Sequence, residues 1–267
     1  MHQINKTTYA YGSAPQQFGN LYCPSSTNTL PVVVVIHGGY WKDNHNLDSY
    51  ATKALVNYLT QLGVAVWNIE YRRMEFTGNN TQAPWPAIHQ DVASAIDFIA
   101  HMATPHNLNV NQVMVVGHSA GGTLATWTGL RAAINKASPL YQHTYQKVKR
   151  VVSIAGILNL SHCDDIEQPQ QVLRLMGGKA HDVKSRYQAC DPYLLGAAAV
   201  PLHIIHGNND AAVGVTQAKA YCQAHNTKLT ILPDGDHFSM LPLDNAPAPD
   251  WALLQQILAD EIALLGK

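Results

Sequence analysis

Val113-Met114-Val115-Val116-Gly117-His118-Ser119-Ala120-Gly121-Gly122-Thr123-Leu124-Ala125-Thr126-Trp127-Thr128-Gly129-Leu130 decides how this chain is read. The apolar run at 113–116 has the character of a strand buried on both faces, and the stretch at 123–130 is compatible with a helix. Only a short turn is left between them. Such a turn strains the residue at its apex and brings the helix close to the strand, so small residues are needed around Ser119. Gly117, Ala120, Gly121 and Gly122 supply that room. G-x-S-x-G between a strand and a helix is the arrangement that exposes a serine hydroxyl as a nucleophile at the end of a sheet. A serine among glycines is often a turn and nothing more, and the flanking elements argue against that here. The Lys-Ser/Thr ending of a phosphate-binding loop is missing, as is G-x-G-x-x-G spacing, which sets nucleotide binding aside.

Outward from this segment, the runs at 32–36, 64–69, 151–154, 202–205 and 229–232 repeat the buried-strand pattern. The stretches at 7–10 and 17–22 suit antiparallel edge strands. Ile88, Val92, Ala95, Ile96 and Ile99 recur at helical spacing with Asp91 and Asp97 interleaved, and 49–62 gives a similar pattern. A last helix is expected at 251–265, started by Pro249 and Asp250 and covering the sheet edge near the C-terminus. Strands alternating with helices predict an α/β fold with a mostly parallel central sheet and helices on both faces. Between 156 and 200 the alternation stops, apart from a short helical stretch at 170–176, so a short lid insertion is expected there. With no repeat or linker dividing the chain, one domain over 1–267 is the simplest organisation.

The other chemistry-bearing residues follow separate strands. His37-Gly38-Gly39-Tyr40-Trp41 comes directly after the first central strand, where backbone N–H groups can stabilise a developing oxyanion. The expected donors are the amides of Gly39 and Ala120, with Gly38 or Tyr40 as further contributors. Asp210 ends His206-Gly207-Asn208-Asn209-Asp210, on a loop at a strand's C-terminal end, where active sites of open α/β sheets lie. A lone loop aspartate is usually a turn former or cap, but this one falls between Ser119 and His237. His237 completes the order Ser, Asp, His. In this reading His237 takes the Ser119 proton and Asp210 fixes its tautomer; Asp236 is a second choice for the acid. Tyr40, Trp41 and Trp85 are candidates for the substrate pocket, although aromatics more often belong to a core. His118 reads as a packed or capping histidine. The 14 histidines show no metal-ligand spacing: H-E-x-x-H is absent, and His203 and His206 point to opposite faces of one strand. No metal and no cofactor is expected.

Composition narrows the partners. Lys+Arg at 17 against Asp+Glu at 18 leaves a formal net charge of -1 without a basic run, which argues against nucleic acid. No apolar run approaches the roughly 20 residues of a bilayer span, and polar Asn5, Lys6, Thr7 and Thr8 stand where a secretory signal would be apolar. A cytoplasmic location without membrane attachment is expected. Cys23, Cys163, Cys190 and Cys222 lie too far apart for a C-x-x-C pair and read as isolated thiols. The expected partner is a small-molecule ester or amide, with homodimerisation left open.

Taken together, 37–41, Tyr71-Arg72-Arg73, Trp85-Pro86 followed by Asp91, 117–122, Asp210 and His237 resemble the small esterase and kynurenine formamidase branch of the α/β-hydrolases, over about 31–238. The resemblance implies a triad of Ser119, Asp210 and His237 and an oxyanion hole from the H-G-G-x-W loop. That loop is similar to the one in kynurenine formamidases, which remove formate from an aryl formamide, and related carboxylesterases carry it too. The hormone-sensitive-lipase group matches less well, because Tyr40 stands where that group has another glycine. Carboxylesterase activity through an acyl-enzyme is therefore the expectation. Arylformamidase activity and a non-catalytic ligand-binding protein of the same fold are the alternatives. A serine peptidase is disfavoured, because no substrate-gating domain accompanies the catalytic one.

Overall fold

A computed structural model describes residues 3–49, 52–75, 85–243 and 248–267. Eight strands form one sheet: β1 Ile4–Ala10, β2 Phe18–Pro24, β3 Leu30–Ile36, β4 Ala65–Ile69, β5 Leu108–His118, β6 Arg150–Ile154, β7 Leu202–Gly207 and β8 Lys228–Leu232. Their order is β1-β2-β4-β3-β5-β6-β7-β8. β1 pairs antiparallel with β2 and β2 antiparallel with β4, and every other pairing is parallel. The mostly parallel sheet expected from the sequence is thus present, with the two polar N-terminal stretches as its antiparallel margin.

The strand period of two explains why the central strands are apolar at every position. Val32, Val34 and Ile36 of β3 and Val113 and Val115 of β5 face one hydrophobic cluster, while Val33, Val35, Met114 and Val116 face another. On the first face lie α2 Ala87–Asp97, α3 Ile99–His106, α4 Ala120–Gly129 and α8 Thr216–His225; on the second lie α1 Thr52–Gln61 and α9 Trp251–Ala263. Complete burial of one such valine is worth roughly 1.5–3 kcal/mol as an upper figure, so the doubly covered centre is the rigid part of the scaffold.

Several details differ from the sequence expectations. The apolar pattern at 88–99 is two helices, broken at Phe98 between α2 and α3. The helix expected at 49–62 is described from Thr52, residues 50 and 51 lying outside the described residues. α9 covers a face of the sheet and not its edge, because Leu254, Ile257, Leu258 and the following Leu265 pack with Val152, Ile154, Ile205 and Leu232. The 156–200 segment holds three short helices, α5 Pro169–Met176, α6 Lys184–Cys190 and α7 Pro192–Leu195. Val172, Leu175, Met176, Tyr187 and Cys190 join the first cluster, and Trp127 Nε1 donates to Ala189 O at 2.9 Å.

Candidate active site

Ser119 stands between the end of β5 and the start of α4 with φ 56° and ψ −124°. A positive φ is costly for a residue with a Cβ and persists only where the surroundings over-determine it. Here Ser119 N donates to Ile154 O at 2.8 Å, and Ser119 O accepts from Thr123 N at 3.0 Å. The tightness that the sequence implied is visible at Gly121, where a Cβ would lie 2.1 Å from Ile36 O, and at Gly38, where one would lie 2.7 Å from His118 O. The two glycine motifs therefore interlock: the loop after β3 and the turn after β5 share one tight space.

That loop is held by a buried carboxylate that the sequence reading did not single out. Glu70, next to the end of β4, accepts from His37 Nε2 at 2.9 Å, Tyr71 N at 2.9 Å and Leu47 N at 3.1 Å, and forms an ion pair with Arg73 Nε at 3.1 Å. Burial alone would raise the Glu70 carboxyl, but the His37 hydrogen bond and charge, Arg73 and the Tyr71 amide hold it below its ordinary value. Tyr71 stacks on the His37 ring at 4.4 Å and donates from its hydroxyl to His37 O at 2.9 Å. The available signal was a charged residue directly after an apolar strand, a place where a carboxylate needs partners to be buried.

Gly39, Tyr40 and Trp41 follow with φ of 107°, 49° and 57°. Among the described residues, the amides of Gly39, Tyr40 and Ala120 donate to no protein carbonyl. For Ala120 this follows from its place at the first position of α4, where helical N–H groups have no intrahelical partner.

Asp210 and His237 meet across two loops: His237 Nδ1 donates to Asp210 Oδ2 at 2.7 Å. Asp210 Oδ1 accepts from Ala212 N at 2.9 Å and Val213 N at 2.8 Å. Burial alone would raise this carboxyl, but hydrogen bonds from His206 and His237, the His237 charge and the Val213 amide hold it well below the carboxylate range. Asp236, the second choice for the acid, instead accepts from Phe238 N at 2.8 Å and Ser239 N at 2.7 Å, which makes it the cap of the His237 turn. His118 donates from Nε2 to His237 O at 2.9 Å. Burial, and secondly repulsion from His237, push His118 down to about 3, so it braces the His237 backbone as a neutral ring.

Ser119 and His237 line one cavity of about 100 Å³, with Gly39, Tyr40, Phe238 and Ala212 in its wall. Lys42, Glu167 and Gln168 add polar groups to it, and Lys42 Nζ donates to Gln168 Oε1 at 3.2 Å. The structure thus brings Ser119, His237, Asp210, Gly38, Gly39, Tyr40 and Ala120 together. Trp41 and Trp85, the other two aromatics expected at the pocket, do not line this cavity. Trp41 is fully buried in the first hydrophobic cluster, while Trp85 donates to Cys190 Sγ at 3.3 Å and carries the Arg186 guanidinium over its ring. His203 and His206 have separate partners, Glu261 and the Asp210 loop respectively. Among the described residues no helix is long and apolar enough to cross a membrane.

The BD-FAE family model matches residues 20–224. A probable carboxylic ester hydrolase of Mycobacterium tuberculosis is 24% identical over 200 residues, covering 73% of this chain and 44% of that protein. A kynurenine formamidase of Meyerozyma guilliermondii is 35% identical over 115 residues, covering 43% of this chain and 39% of that protein. The chain therefore spans less than half the length of either relative. Among solved structures, a truncated carbohydrate esterase from gut microbiota superposes with a TM-score of 0.75 at 21% identity, covering 97% of this chain and 96% of that one. A likeness of that extent shows a shared fold, the α/β-hydrolase fold.

Proposed function

This chain belongs to the BD-FAE family, and from that premise we propose that it is a carboxylic ester hydrolase acting on small acyl esters through Ser119, His237 and Asp210. The observation that carries the reading is the 2.7 Å bond from His237 Nδ1 to Asp210, in a ring whose other nitrogen bonds to none of the described residues and which lines one cavity with the strained Ser119. Ser119 Oγ attacks the ester carbonyl while His237 Nε2 takes its proton, and Asp210 stabilises the resulting imidazolium. The amides of Gly39 and Ala120, with Gly38 or Tyr40 contributing, receive the oxyanion. The proton then passes from His237 to the leaving alkoxide, and a water activated by His237 hydrolyses the acyl-enzyme. The Ser119–His237 hydrogen bond belongs to the substrate complex, in which such contacts tighten.

The cavity of about 100 Å³ favours a short acyl group. Segment 156–200 acts as the lid, since Glu167 and Gln168 reach the cavity wall. The names of the relatives support an ester hydrolase, and the partial likeness to kynurenine formamidases supports deformylation as the second reading. A single catalytic domain in the cytoplasm, with a small molecule as its partner, completes the proposal.

The test compares turnover of short-chain p-nitrophenyl esters and of N-formylkynurenine by the purified protein, with Ser119→Ala as the control. Efficient ester turnover with weak deformylation is the expected result. The reverse would make the protein a formamidase, and activity on neither would leave a ligand-binding protein.

A further inference from the structure

His206 is the last side chain of β7 before the loop that carries Asp210, and it is wholly buried. Its Nε2 lies 2.8 Å from Val213 O and 3.2 Å from Asp210 Oδ2. A carbonyl only accepts, so Nε2 carries the proton, donates it to Val213 O and stands within ion-pair distance of Asp210 Oδ2. Nδ1 is buried without a partner among the described residues, an arrangement that an apolar side chain of similar size would avoid. The imidazole is therefore costly to keep here unless its N–H matters.

Asp210 shows what the N–H could do. Its Oδ1 takes the Ala212 and Val213 amides, while Oδ2 takes His237 Nδ1 and has the His206 N–H beside it at 3.2 Å. Each oxygen thus has two N–H groups close by, so the carboxylate is restrained and the charge on Oδ2 lies between two imidazoles. Resting on the Ser119–His237–Asp210 reading above, we propose that His206 is a positioning residue that sets the orientation and pull of Asp210 on His237. The other titratable groups facing this carboxylate are His237, His118 behind it, Tyr40 from the β3 loop, and Glu167 and Lys42 at the cavity wall. None of these donates to Oδ2 except His237, so removing the His206 N–H changes the load on that oxygen directly.

The experiment compares His206→Leu, which has no donor, with His206→Gln, which returns an N–H at similar reach. For each, kcat and KM on p-nitrophenyl butyrate are measured across pH, and the low-field proton resonance of His237 Nδ1–H is recorded. Without that N–H beside it, Oδ2 holds the His237 imidazolium more strongly, so the acid limb of kcat/KM moves to higher pH and the resonance shifts. His206→Leu is expected to lower kcat about tenfold, the scale of one hydrogen bond to a charged group, with KM within about twofold. His206→Gln is expected to recover kcat to within about threefold and to restore the wild-type limb and resonance. Wild-type kcat, limb and resonance in His206→Leu would overturn the proposal; so would a His206→Gln variant as slow as His206→Leu. If His206→Leu does not fold, His206→Asn, whose amide is too short to reach Oδ2, takes its place with the same expectations. If the wild-type protein hydrolyses no ester, the ester-hydrolase reading fails. The His237 resonance then decides the His206 proposal alone: a shift in the donor-free variant supports it, and none overturns it.

Discussion

The two ends of β7 each hold a histidine against a buried carboxylate, and they do different things with it. At one end His203 donates to Glu261 at 2.9 Å and meets Thr230 Oγ1 at 2.8 Å through its other nitrogen. Arg150 and Lys228 also bind Glu261, at 2.7 Å and 3.1 Å. At the other end Asp210 holds His237 by Nδ1, and the His237 ring lines a cavity together with Ser119. The His203 end borders the larger of these two cavities, about 270 Å³ against about 100 Å³, yet among the described residues no serine or cysteine lines it. A carboxylate–histidine pair is therefore not in itself a catalytic device. It becomes one when the histidine keeps a nitrogen open beside a nucleophile held in a strained turn.

The largest expected effect breaks the proposed catalytic end outright. Ser119→Ala should reduce ester turnover by about four orders of magnitude or more while the thermal midpoint stays near wild type, as kinetics and calorimetry would show. Asp210→Asn should follow at roughly a hundredfold to ten-thousandfold in kcat, because an amide favours the wrong His237 tautomer. Asp236→Asn should stay close to wild type, and a larger loss there than at Asp210 would reassign the acid. Glu70→Gln should lower kcat/KM about tenfold or more through the loosened His37 loop, with a stability loss of roughly 3–5 kcal/mol from the broken buried network, measured by denaturant unfolding.

The smallest effect on activity belongs to the other end. Glu261→Gln should leave kcat unchanged and lower stability. Burial alone would raise this carboxyl, but His203, Arg150 and Lys228 hold it at about 2, below its ordinary 4.5. A lowered carboxylate contributes stability above its unfolded value and loses it as pH falls through the folded one. The wild-type protein should therefore give up about 3 kcal/mol between pH 4.5 and 2 at this site, a loss missing from the variant's acid-unfolding curve.

What could be read in the sequence follows the same division. The doubly buried strands announced themselves as unbroken Val and Ile runs, and the turn at Ser119 as glycines that a Cβ would drive into Ile36 O or Gly121 O. Local chemistry of that kind leaves a local trace. α8 left little trace: Thr216–His225 buries Gln217, Ala218, Tyr221 and Cys222, too mixed a set to read as an apolar stripe. Glu70, His206 and Glu261 were illegible as partners because each meets its histidine or carboxylate only after folding, and Glu70 and Glu261 do so across more than 30 residues. The preference for Asp210 over Asp236 rested on strand order, and the hydrogen bond from His237 goes to Asp210. Trp41 shows the limit of motif reading: it stands in the H-G-G-x-W loop, yet its indole lies in the core.

The central claim is that the Asp210–His237 end works on Ser119 as a nucleophile. Its most direct test is the intact mass and peptide map of the protein after treatment with a fluorophosphonate, in wild type, Ser119→Ala and His237→Ala. One adduct per chain is expected, located on Ser119, absent from Ser119→Ala and strongly slowed in His237→Ala. No adduct in the folded wild-type protein, or an adduct that persists in Ser119→Ala, would contradict it.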